Sequence, residues 1–129
     1  MKIDEALLED LLAKAKESPR LRMSYDLRTT SEDNSQRILN ALMPGTILPI
    51  HRHRSSVKTV ILLKGCMDEI LYDEEKNETE RIHLDLQEGS YGTQIPQGIW
   101  HCVEVHEPSV IVEMKDGKYA PLSEEDIMY

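Results

Sequence analysis

The feature that most limits what this chain can become is the rhythm of its apolar residues after Pro19. Leu21, Met23 and Tyr25 alternate with Arg22, Ser24 and Asp26, the period-two pattern of a half-buried strand. Further short runs follow at Ile38–Met43, Val57–Leu63, Met67–Tyr72, Glu80–Leu86, Tyr91–Ile95, Ile99–Val105 and Ser109–Met114. Each is closed by punctuation: Pro44-Gly45, Gly65, the acidic stretch 73–78, Glu88-Gly89, Pro96, Gly98 or Pro108. Many short strands at regular spacing predict an all-β barrel or sandwich, because each strand has to bury one face against another layer. The acidic stretch 73–78 between two of these runs reads as a solvated hairpin tip.

Only the first segment breaks the rhythm. Ile3, Ala6, Leu7, Leu8, Leu11, Leu12 and Ala15 recur at three- and four-residue steps, a wide apolar stripe that predicts an amphipathic helix over 1–18. Asp4 suits the N-cap, Lys14 and Lys16 suit the C-terminal end, and Ser18-Pro19 stops it. The sequence contains no internal repeat or linker. The expected organisation is one domain over 1–129, with a barrel core at 37–115 and a tail at 116–129 that is either an arm or a disordered end.

Charge narrows the partners. The 129 residues carry 15 Lys+Arg and 24 Asp+Glu, a formal net charge of −9, which argues against nucleic-acid and anionic-membrane surfaces. No apolar run approaches the roughly 18 residues of a membrane span. The charged N-terminus shows no signal peptide, and the two cysteines, Cys66 and Cys102, are too few for a disulfide scaffold. A cytoplasmic protein with free thiols is expected. Motifs for dinucleotides, nucleotide phosphates, nucleophilic serine or redox dithiols are absent, and no catalytic residue is assigned.

Chemistry concentrates in the histidines. His51 and His53 form an H-x-H pair, and in extended backbone both rings face one side and can meet one point. His101 follows Trp100 on a distant strand that a barrel could bring to the same spot. Glu113 interrupts the apolar run 110–114, either as an outward carboxylate or as a pocket group partnering Lys58. Trp100 reads as core or pocket wall. Tyr25, Tyr91 and Tyr119 are candidates for a cavity mouth, and Arg20, Arg22, Gln36 and Arg37 for anion contacts. His83 and His106 read as surface residues.

Gly45-x5-His51-Arg52-His53 followed by Gly65 resembles the first cupin motif, and Pro96-Gln97-Gly98-Ile99-Trp100-His101 resembles the core of the second. More narrowly, SPR (18–20), NALMPGT (40–46), HRH (51–53), ERIHL (80–84), QIPQGIWH (94–101) and EMKDGKY (113–119) resemble the WbuC family of cupin-fold proteins. The resemblance implies a small cupin jelly-roll barrel, a double-stranded β-helix, with an N-terminal α-helix. It implies a divalent transition metal (Zn, Fe, Mn, Ni or Cu) on His51, His53 and His101, and a homodimer. It also implies a small polar ligand or substrate, with sugar derivatives of surface-polysaccharide metabolism suggested by the family's gene clusters.

This chain departs from the pattern at the metal. The motif's Glu position is Lys58, and a protonated Lys has no lone pair to give. Gly89 is one residue too far from Pro96, and Val105 stands at the motif's Asn. Three outcomes follow at the metal: water completes a three-His shell, a polar neighbour with Gln94 as the best candidate replaces the carboxylate, or Lys58 marks loss of the metal. Three functions stay open: a metal-binding cupin acting on a small molecule, a non-catalytic ligand-binding module, and a metal-free sugar-nucleotide isomerase or epimerase with a His base.

Overall fold

The computed structural model describes residues 1–129. The first element is the helix α1 (Glu5–Glu17), and its start is set chemically: the Asp4 side chain accepts from the Leu7 N–H at 3.0 Å. Ten strands follow: β1 (Arg22–Asp26), β2 (Ser35–Leu42), β3 (Ile50–His51), β4 (Lys58–Lys64), β5 (Cys66–Tyr72), β6 (Glu78–Asp85), β7 (Gly92–Ile95), β8 (Trp100–Val105), β9 (Ser109–Asp116) and β10 (Ile127–Met128). They form two five-stranded antiparallel sheets, ordered β1-β2-β9-β4-β7 and β10-β3-β8-β5-β6.

The alternation in sequence explains the two cores. Leu39, Ala41 and Val110 face outward from the first sheet and receive Leu8, Leu11, Leu12 and Ala15 of α1. The intervening residues point between the sheets, where Leu42, Val60, Leu62, Ile111, Met67, Leu84 and Val105 form the inner core. Burying an aliphatic side chain of this size is worth about 1.5–3 kcal/mol, so α1 acts as a lid on the first sheet. Leu11 is 2 % exposed and Ala15 fully buried.

One glycine of the motif has a steric reason. Gly65 joins β4 to β5 at φ +94°, and an added Cβ would lie 2.3 Å from Ser109 Oγ and 2.4 Å from the Pro108 carbonyl oxygen. Only glycine fits that crossing.

The expected strands are present with small shifts of their ends. Two features exceed the expectation. His51 belongs to a two-residue strand, β3, paired directly with His101. The segment 116–129 folds back: a 3-10 turn at Glu124–Asp126 leads into β10, which pairs with β3. Asp126 fixes this return by accepting from Arg52 Nε at 3.0 Å and Arg54 Nε at 2.6 Å. A composition reading sees only an acidic, Pro-containing tail there. No helix is long and apolar enough to cross a membrane.

Candidate metal centre

The site lies toward one end of the space between the sheets, where the inward positions change from aliphatic to polar. On β9 the inward series is Ile111, Glu113, Lys115, and on β4 it is Leu62, Val60, Lys58. The open part is a cavity of about 730 Å³, lined by His51, His53, Lys58, Glu113 and Lys115 and rimmed by residues 117–122.

The histidines meet as their spacing predicts. Ring centroids are 5.1 Å apart for His51–His53, 4.3 Å for His51–His101 and 5.4 Å for His53–His101. One ring nitrogen from each lies within 4.8 Å of the others. Two rings are held by main-chain carbonyls: Pro49 O accepts from His51 Nδ1 at 2.9 Å, and Ile99 O accepts from His101 Nδ1 at 3.0 Å. That assignment leaves each Nε2 as a bare lone pair, the usual arrangement behind metal-bound imidazole. His101 Nε2 and His53 Nε2 are buried with no hydrogen-bond partner. Buried polar atoms without partners are costly, and lone pairs converging without protons are what a cation needs.

Electrostatics keep these rings neutral. Burial pushes His51 down to about 4, helped by the Lys58 charge, and His53 down to about 3, helped by Lys115 and Lys58. His101 is lowered furthest, again chiefly by burial and then by Lys58. Neutral imidazole is the metal-binding form.

Lys58 faces the site and is 5 % exposed. Its ammonium pairs with Glu113 at 3.2 Å, so Glu113 is the pocket group and not the outward carboxylate. Desolvation alone would lower Lys58, but Glu113 and Glu69 outweigh it and hold it charged. Desolvation would likewise raise Glu113, but Lys58 and Lys115 hold it below the usual carboxylate range. The pair neutralises the cation that the motif departure placed beside the centre.

Two other expected residues are elsewhere. Gln94 does not replace the missing carboxylate. It pairs with Thr59 on the outward-facing register of β7 and β4, and its Nε2 donates to Thr59 Oγ1 at 3.2 Å. The reason is parity: Lys58 points in, so its neighbour Thr59 and the residue opposite Thr59 point out. Trp100, adjacent to inward His101, also faces away from the cavity and lies under Arg52, with the guanidinium carbon 4.4 Å from its ring centroid. Of the other candidates, Tyr119 and Gln36 line the cavity; Tyr25, Tyr91, Arg20, Arg22 and Arg37 do not.

Two interior groups escaped the sequence reading. Glu69 on β5 is fully buried, and neither carboxylate oxygen has a partner. Burial raises it to about 7, with Lys58 opposing and Glu113 reinforcing the shift. Its signal was a carboxylate between Met67 and Leu71, both inward positions of one strand. Lys115, two residues past Glu113, is half-buried, and desolvation lowers it despite the pull of Glu113.

The arrangement of two antiparallel sheets around a His-lined cavity is the cupin fold, and solved structures agree. The chain is similar to KdgF from Halomonas sp. (14 % identity, TM-score 0.60, covering 79 % of this chain and 84 % of that one). It is similar to the capsular polysaccharide assembling protein CapF from Staphylococcus aureus (15 %, TM-score 0.65, 87 % of this chain and 30 % of that one). It is similar also to an E162A mutant of Bacillus subtilis oxalate decarboxylase OxdC (15 %, TM-score 0.58, 77 % and 26 %). The chain therefore spans under a third of the last two proteins. By sequence, the chain belongs to the family described as Domain of unknown function (DUF6016), whose model matches residues 3–84. No curated protein sequence matches it.

Proposed function

We propose that this cupin domain, spanning 1–129, binds one divalent transition metal through His51, His53 and His101 and presents it to a small polar molecule entering the cavity. The observation that carries the reading is the convergence of three imidazoles in which His53 Nε2 and His101 Nε2 are buried without partners and the Nδ1 atoms of His51 and His101 are held by main-chain carbonyls. Imidazole ligands suit Zn, Fe, Ni or Cu, with Mn less favoured. Such an ion supplies Lewis acidity or an activated water. The chain's own residues supply the rest. Lys58 and Glu113 shape a neutral wall beside the centre. Lys115 offers an ammonium to an anionic or hydroxyl-bearing ligand. Residues 117–122 cover the mouth.

Sugar derivatives are the proposed ligand class. Support comes from the WbuC-like stretches, from CapF's description as a capsular polysaccharide assembling protein, and from the cavity's polar lining. A homodimer completes the proposal on the same resemblance, and a cytoplasmic location on the two free cysteines.

One observation favours a second reading. Lys58 stands where the motif has a carboxylate, which suits a metal-free isomerase or epimerase with a His base. Against it, a general base works best with a pKa near the working pH, and His51 is held near 4. A non-catalytic binder would use the same cavity.

Metal analysis of protein purified without a polyhistidine tag separates these readings. A content about one ion per chain higher than in His51→Ala, removed by chelator and restored by added metal, is expected. A difference far below one, unrestored by Zn, Fe, Mn, Ni or Cu, sinks the metal reading. Turnover on a sugar and sugar-nucleotide panel then marks an enzyme, and ligand-induced thermal shifts without turnover mark a binder.

A further inference from the structure

A second cluster sits on the opposite, outward face of the β5–β6 pair. Cys66 and Asp85 are direct cross-strand neighbours, and His83 lies two residues before Asp85 on the same face. His83 Nε2 lies 3.7 Å from Cys66 Sγ, 3.9 Å from Asp85 Oδ2 and 3.6 Å from Glu88 Oε2. With metal–ligand bonds of about 2.0–2.3 Å, the edges of a zinc tetrahedron are about 3.3–3.6 Å long. The contacts of His83 Nε2 are thus a few tenths of an ångström from coordination distance, and one donor atom each of Cys66, His83 and Asp85 lies within 4.8 Å of the others.

Each donor is already aimed. His83 Nδ1 is 2.5 Å from Asp68 Oδ1, so the carboxylate fixes the ring and leaves Nε2 facing Cys66 and Asp85. Asp68 is 4 % exposed and is itself held by Arg81 Nη1 and His106 Nε2, each 3.0 Å from its Oδ2. Asp85 Oδ1 accepts from the Gln87 N–H at 3.0 Å, which starts the 3-10 turn Leu86–Glu88 and leaves Oδ2 free. That turn carries Glu88 to the rim of the cluster, 3.6 Å from His83 Nε2. Cys66 is buried while His83 and Glu88 are open to solvent, so an ion has an entry path.

We propose that Cys66 Sγ, His83 Nε2 and Asp85 Oδ2 form a second metal site, of the zinc type, open to solvent for its fourth ligand, with Asp68 as the residue that orients His83. Thiolate with imidazole selects Zn²⁺ or its analogue Co²⁺ over Mg²⁺ and Ca²⁺. A carboxylate–histidine–metal relay is the usual support for such a ligand. Binding releases the Cys66 thiol proton to solvent, so the site strengthens as pH rises. The site is independent of the three-histidine centre, which contains no sulfur.

That difference supplies the test. Co²⁺ is titrated into the chelator-stripped full chain, and the near-ultraviolet thiolate-to-cobalt charge-transfer band is followed. Two equivalents, enough to fill both centres, are expected to develop the band in the wild type and in Cys102→Ser, and one equivalent in His51→Ala. The band is expected to vanish in Cys66→Ser and in His83→Gln, two variants that guard against misfolding of either one. Asp68→Asn is expected to weaken Co²⁺ binding about 10–100-fold, whereas a merely structural Asp68 would leave the affinity of the folded variant unchanged. No band in the wild type, or a band that survives Cys66→Ser, overturns the proposal. Failure of the three-histidine centre would instead appear as no difference in total metal content between wild type and His51→Ala, with the sulfur band intact.

Discussion

Replacing Lys58 by Met isolates the charge pair on which the unusual cavity depends. The Lys58–Glu113 separation is 3.2 Å and both side chains are largely buried, at 6 % and 13 % exposure. At an effective dielectric of about 20, two charges at that distance attract by about 5 kcal/mol. Breaking a buried pair by removing one partner costs about 3–5 kcal/mol, because the remaining charge is left uncompensated. Unfolding entropy of about 2 cal/mol/K per residue gives this chain of 129 residues about 0.3 kcal/mol per degree, so the melting temperature should fall by about 10–20 °C at pH 7. The double replacement Lys58→Met, Glu113→Leu should recover most of the loss, because an apolar pair of similar volume is often neutral or better. Acidification should also help the single variant, since Glu113 can then take a proton. Thermal and urea melts of the three proteins at pH 7 and pH 5 measure all of this. A loss below about 1 kcal/mol in the single variant, or a double variant no better than the single one, would refute the reasoning.

Three further outcomes can be checked. Lys58→Glu restores the motif carboxylate but removes the ion-pair partner of Glu113, so the variant should melt early without metal and gain far more from added Zn²⁺ than wild type does. Equal metal-induced shifts in calorimetry would contradict that. Glu69 is raised from 4.5 to about 7, so the native chain keeps a proton that the unfolded chain gives up. Its contribution to stability falls as pH rises through that window, by about 3 kcal/mol in all; Glu69→Gln should flatten that part of the pH–stability curve, and an unchanged curve would show that the carboxyl ionises freely. Leu11→Ala should cost about 2–5 kcal/mol by opening a cavity between α1 and the first sheet, and a helix lost without a stability change would show that α1 is not a lid.

Much of the architecture was legible because alternation and punctuation are local. Runs such as Val57–Leu63 and Ser109–Met114 declare a strand, and Gly65 and Pro108 declare where it must turn. The three histidines were legible for the same reason, since an i, i+2 pair in extended chain has one geometry and the motif spacing located its third member. What escaped depends on pairing between distant strands. Gln94 was expected inside because it precedes Pro96, but register against β4 puts it opposite Thr59 on the outer surface. Glu69 hides in a run that reads as ordinary strand, and only its placement between Met67 and Leu71 shows a carboxylate facing the core. His83 and His106 face out as expected, yet both converge on the buried Asp68, which no spacing rule within one strand reveals. Segment 116–129 lacks any strand-length apolar run, and its two-residue strand forms only because β3 offers an edge and Arg52 and Arg54 hold Asp126.

The three-histidine centre is the central claim, and copper spectroscopy tests it most directly. The chelator-stripped Cys66→Ser chain, which lacks the outer thiol, is loaded with one equivalent of Cu²⁺ and studied by pulsed electron paramagnetic resonance. The account predicts modulation from the remote nitrogens of three imidazoles, reduced to two in His101→Ala with weaker Cu²⁺ binding. A spectrum without three-imidazole coupling, or one that His101→Ala leaves unchanged, would contradict it.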